Sequence, residues 1–206
     1  MTGDLRRRDA EELSMERRFL RLILQPVAFF DRLGLDTPFK RVLPYHALLV
    51  WAIAVFHPQG VLRMSGSSAA LSMLLAPVGA LAANALLAGL SQALGSIQGA
   101  GAGLRETLKV YLYAFTPALP YLVVVHATEG AVLPIAPGGF VAGNLLTVDA
   151  VAAFFSAWWA VLVLIGLKEV HTIPTYRALI MALPAVLFVI ITADPVALAT
   201  LWLGWM

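Results

Sequence analysis

Long apolar blocks, separated by short polar punctuation, dominate the chain. Five of them, 42–57, 69–94, 108–128, 150–167 and 176–192, approach or meet the 17 to 25 residues that a helix needs to cross a hydrocarbon core about 30 Å thick. The first is short and is bracketed by Pro44 and Pro58. A sixth stretch, "PVALATLWLGWM", has twelve residues and two tryptophans, which suits a helix lying in the interface better than a span. The predicted fold class is all-α: a polytopic membrane protein with five transmembrane helices. The pattern divides the chain into a cytoplasmic tail (1–41), a five-span membrane domain (42–192) and an interfacial C-terminal segment (193–206).

Ahead of the first block the pattern changes. In "MERRFLRLILQPVAFFDRLG", Phe19, Leu20, Ile23, Leu24, Val27, Phe30 and Leu33 recur mostly at three- and four-residue steps, interleaved with arginines. This predicts an N-terminal amphipathic interfacial helix, divided by Pro26 into two short pieces. On the inner membrane surface Arg17, Arg18 and Arg21 would meet anionic headgroups, each contributing about 1 kcal/mol. The same pattern also fits a segment packed on the cytoplasmic face of the bundle.

Charge tests the span count independently. Thirteen of the 14 basic residues fall on one side of the five blocks: nine in the tail, then Arg105, Lys109, Lys168 and Arg177. Arg63 stands alone on the other side. By the positive-inside rule the N-terminus is cytoplasmic and the C-terminus periplasmic in a bacterial inner membrane. No cleavable leader is expected, because the first 41 residues carry nine basic and seven acidic side chains before any long apolar run.

Composition agrees: 60% of residues are apolar, 13% are charged and the mean hydropathy is +0.84, against about 45–50% apolar and 25% charged in soluble domains. Without cysteine there is no thiolate nucleophile, thiolate metal site or disulfide. No basic patch points to nucleic acid.

Within the second block, Ser72, Ala76, Ala80, Asn84, Ala88 and Gln92 recur every four residues and form a small-residue face suited to close helix packing. Asn84 is the one strongly polar side chain near the middle of a span. An interhelical hydrogen bond from it would contribute about 0.6 to 2 kcal/mol. Prolines interrupt three blocks, at Pro77, at Pro117 with Pro120, and at Pro184. In "YAFTPALPY" the carbonyls of Tyr113 and Thr116 are freed, and the Thr116 hydroxyl, a neighbouring helix or water would satisfy them.

Catalytic and metal readings find little support. His126 and Glu129 form an HxxE step, and with His57, Asp149 and Asp194 they gather at the outer ends of spans, but such positions are ordinarily solvated. "EELSMER" lies in the tail rather than on a span, and "GSS" at 66–68 lacks a base. Gly99, Gly101 and Gly103 read as a flexible cytoplasmic loop.

Three stretches carry a likeness to a known family. "LQPVAFFDRL", "KVYLYAFTPALPYLV" and "WWAVLVLIGLKEVHTIPTYRALIMALPAVLFVII" resemble segments of the YIP family of Ypt/Rab-interacting membrane proteins in its short bacterial form, over about residues 22 to 192. The resemblance implies a helical membrane bundle that contacts other proteins rather than transforming a substrate. The long hydrophilic N-terminal region and the acidic Asp-Leu-Tyr-Gly-Pro stretch of the eukaryotic relatives are missing, so GTPase binding does not carry over.

The expected function is non-enzymatic scaffolding or assembly of a membrane complex, without cofactor. The expected partners are the lipid bilayer and other integral membrane proteins or a second copy. Lys168, Glu169 and His171 form a docking surface on a solvated cytoplasmic hairpin, with Gly166 letting the fourth span end. The alternative is a small transporter or channel subunit with its polar centre around Asn84 and the Pro117/Pro120 break.

Overall fold

A computed structural model describes residues 15–36, 38–56, 67–131 and 141–193. Eight helices follow in order: α1 (Met15–Leu24), α2 (Pro26–Asp36), α3 (Phe39–Phe56), α4 (Ser67–Ile97), α5 (Leu104–Ala114), α6 (Ala118–Ala131), α7 (Val141–His171) and α8 (Thr175–Ala193). No strand occurs among the described residues.

Among the described residues, three stretches are long and apolar enough to cross a membrane: Leu75–Ile97, Leu104–Val124 and Ala153–His171. Thr175–Ile191 is apolar but shorter. The outward faces are as oily as the interior. Val78, Leu86, Val123, Phe154 and Ile190 are each at least 61% exposed. Water would penalise such a surface along every helix, whereas hydrocarbon is its natural solvent.

The bundle is built on α7 and α8, which pack together, with α4, α5 and α2 fitted around them. Val110, Leu112, Leu162, Val163, Leu167 and Met181 form the centre of the core. The break expected at Pro117 is real: α5 ends at Ala114, a turn covers 115–117, and α6 begins at Ala118. Pro44, Pro77 and Pro184 lie within helices.

The tail departs from the simplest amphipathic picture. Two short helices form on either side of Gln25, yet the residues that face the protein are Leu22 and Phe30, at 1% and 0% exposure. Leu20, Leu24 and Val27, half or more exposed, point away from it. Phe30 docks α2 on α7 and α5. The side chains of Arg17 and Arg18 lie outside the described residues, as does the segment 194–206 expected in the interface.

Both hairpin turns end their leading helix in the same way. Gly99 adopts φ +74°, with the Ala100 N–H on the Gly95 carbonyl and the Gly99 N–H on that of Ser96. Thr172 adopts φ 51°, with the Ile173 N–H on the Lys168 carbonyl and the Thr172 N–H on that of Glu169. Each is a Schellman cap, which satisfies orphan carbonyls with a left-handed residue. The glycine stretch expected to be a flexible loop is therefore a capped turn. Similarly, α7 does not end at Gly166 but runs on to His171, so Lys168, Glu169 and His171 sit on its last turn.

Candidate functional site

At the end of the bundle that holds these two turns, Gln92, Thr107 and His171 converge from α4, α5 and α7. The Gln92 amide N–H donates to the Ala102 carbonyl (3.0 Å), which leaves Gln92 Oε1 to accept from the Thr107 hydroxyl (2.7 Å). Thr107 has one proton, so at 2.9 Å His171 Nε2 is the donor to Thr107 Oγ1. His171 Nδ1 is then an acceptor, buried without a partner. His171 and Thr107 are 2% and 0% exposed. The reading of His171 as part of a solvated docking surface is thus corrected: the ring is turned into the bundle and ties α7 to α5.

Lys168 and Glu169 remain nearer the surface and pair with each other at 3.0 Å. Arg177 reaches instead to the Gln98 carbonyl (3.1 Å), linking the first turn of α8 to the end of α4. That places a cation where the α4 dipole is negative. Lys109, one of the expected loop charges, is buried and lies 3.9 Å from Glu106.

A second polar link spans the proline break. The Thr116 hydroxyl donates to the Tyr113 carbonyl, so the Tyr45 hydroxyl, 2.8 Å away, must donate to Thr116. The Thr116 carbonyl accepts the Leu119 N–H. The freed carbonyls are therefore satisfied from within the protein, that of Tyr113 by the hydroxyl the sequence placed beside it and that of Thr116 by a backbone N–H. Ser91 repeats the device, donating to the Met181 carbonyl while Tyr111 donates to it. These hydroxyls join α3 to α5, and α4 to α5 and α8. Nearby, His46 is 2% exposed on α3, packed against Phe115 at 5.3 Å, with neither ring nitrogen in a well-formed hydrogen bond. Sequence reading passed over His46 because a lone histidine among apolar residues has no motif.

The small-residue face of α4 is divided. Asn84 and Ala88 are buried inside this bundle, at 5% and 0% exposure, while Ala76 and Ala80 are partly exposed. The Ser72 side chain lies outside the described residues. Asn84 does not bridge helices: its Nδ2 donates to the Ala80 carbonyl of its own helix at 2.8 Å.

Beside Asn84 is a cavity of about 390 Å³. Its walls are Ile53 of α3, Ala83, Asn84 and Leu87 of α4, Pro117 of the break, Tyr121 of α6, Phe155, Ser156 and Trp159 of α7, and Phe188 of α8. Among the described residues, no charged side chain lines it. The polar centre expected for a transporter is thus, among these residues, one amide, the hydroxyls of Ser156 and Tyr121 and the Trp159 indole N–H, in an aromatic and aliphatic wall.

Among the described residues, no group of three His, Asp or Glu side chains gathers to hold a metal ion. The side chains of His57, His126, Glu129, Asp149 and Asp194 lie outside the described residues.

Neither the curated proteins nor the solved structures contain a match to this chain. The Yip1 domain matches residues 20–193, from the amphipathic tail through the last residue of α8. That stretch takes in all three segments in which the likeness was read. The chain belongs to the Yip1-domain family of membrane proteins.

Proposed function

We propose that this protein is a contact protein of the bacterial inner membrane, a non-enzymatic bundle that scaffolds or assembles a membrane complex. Five spans carry it, the two Schellman-capped turns face the cytoplasm with the N-terminal tail, and the C-terminus is periplasmic. One observation carries the reading. Among the described residues, His171, Thr107, Tyr111, Ser91, Tyr45 and Thr116 are engaged in links between the protein's own helices, and His46 is packed against Phe115. Interhelical hydrogen bonds of this kind hold a membrane bundle in one shape. A fixed shape with an apolar outside is what recognition by neighbouring membrane proteins needs.

Two surfaces remain for such recognition. The outward face of α4, with Val78, Leu86 and Leu90, is presented to lipid or to another helix. On the cytoplasmic side, Lys168 and Glu169 pair at the end of α7, while Leu20, Leu24 and Val27 of the tail face outward to the inner membrane surface. Residue-specific photo-crosslinking in native membranes, at Leu86, Leu90, Lys168 and Leu24, followed by mass spectrometry of the adducts, tests the reading. Discrete protein adducts from a contiguous set of positions support it. Adducts with lipid alone from all four would overturn it.

A further inference from the structure

We infer that the cavity beside Asn84 is a binding site for a neutral lipid that carries a free hydroxyl, such as a diacylglycerol. This inference is independent of the assembly role.

The depth of the cavity comes first. Ile53, Asn84, Trp159 and Phe188 each lie 12 to 14 residues from the ends of their helices at the basic side, about 20 Å at 1.5 Å per residue. The cavity therefore sits just past the middle of a hydrocarbon core about 30 Å thick. A ligand there arrives through the membrane, and with no charged side chain among the described residues of the wall to pair with it, an uncharged head is favoured. At about 390 Å³ the cavity lies within the usual range for small-molecule sites.

Two of its lining residues open to the lipid-facing surface: Ala83 is exposed and Phe188 is 41% exposed. Acyl chains can leave by that side while the glycerol end stays inside. The polar specification comes from Asn84, which is 95% buried. Its Nδ2 donates one N–H to the Ala80 carbonyl, which leaves the acceptor Oδ1 and the second N–H open, and the Trp159 indole N–H on the same wall is buried without a partner. An acceptor and N–H donors left open on one wall favour a ligand that supplies partners for both. A hydroxyl does so at no cost in charge. The Ser156 hydroxyl, also on the wall, is placed to take the ligand's ester oxygens.

The test uses the full-length protein in proteoliposomes with a photoreactive, clickable diacylglycerol. Labelled peptides should contain Asn84, the 117–121 segment or the 155–159 segment. Unlabelled dioleoylglycerol should compete about tenfold better than its O-methyl ether, which lacks the donor, and phosphatidylglycerol should not compete. Asn84→Leu should remove the preference over the ether. Ala83→Trp, which fills the mouth from an exposed position and leaves Asn84 in place, should abolish labelling while the melting temperature holds. Equal competition by phosphatidylglycerol, or labelling unchanged in Ala83→Trp, would mean that bulk lipid leans on the outer surface, and would overturn the proposal. So would labelling confined to a crosslinked dimer, since a second copy would then fill the space.

Discussion

Phe30 of α2 lies against the bare backbone of Gly166, five residues before the end of α7. A β-carbon there would stand 3.0 Å from Phe30 Cε1 and 2.5 Å from Val110 Cγ1. Gly166 is helical, so its missing side chain serves a close approach rather than a special dihedral. Gly166→Ala should therefore loosen the tail, lowering stability by about 1 to 3 kcal/mol through overpacking against a stiff valine. Thermal unfolding in mild detergent measures the loss, and protease cleavage near Leu22 should quicken.

The chain from Gln92 through Thr107 to His171 gives a second expectation. Thr107→Val keeps the shape but strands both Gln92 Oε1 and the His171 Nε2–H in a buried place. The expected cost is about 1 to 3 kcal/mol. In a double-mutant cycle with His171→Ala the two losses should fall well short of additivity.

At the proline break the two partners should respond unequally. Tyr45→Phe removes a donor and leaves Thr116 bonded to Tyr113, costing about 1 kcal/mol. Thr116→Val deprives the buried Tyr45 hydroxyl of its acceptor as well, and the fall in melting temperature should be clearly larger. Equal effects would show that the hydroxyl pair is not the link between α3 and the break.

Thr172 is a β-branched residue at φ 51°, a conformation that favours glycine. Thr172→Gly should stabilise the turn by up to about 1 kcal/mol, with no change in the Lys168–Glu169 pair. A clear fall in melting temperature would instead mean that the bond from the Thr172 hydroxyl to the His171 carbonyl outweighs the strain.

Sequence pattern found the helices because apolar length depends on local composition alone: the second to fourth blocks each coincide with a stretch able to cross a membrane. It also found the break, since Pro117 removes a donor wherever it stands. What it missed depends on partners distant in the chain. His171 reads as a loop charge until Thr107, 64 residues earlier, is seen beside it. Gly166 reads as a helix end until Phe30 arrives 136 positions upstream. Asn84 reads as glue between helices, but it bonds to its own helix because the space opposite it is a cavity. Gly99 reads as part of a flexible loop until its capped turn is seen, and Thr172 in the equivalent role carries no signal, because β-branched residues seldom adopt that conformation.

The account rests on both hairpin turns sharing a compartment with the tail. The chain has no cysteine, so single-cysteine variants report cleanly. With a membrane-impermeant maleimide on whole cells opened to the periplasm, Arg63→Cys and Met206→Cys should be labelled, and Thr2→Cys, Gly101→Cys and Thr172→Cys only after lysis. Labelling of Thr2→Cys and Met206→Cys from the same side, or of Gly101→Cys and Thr172→Cys from opposite sides, would contradict it.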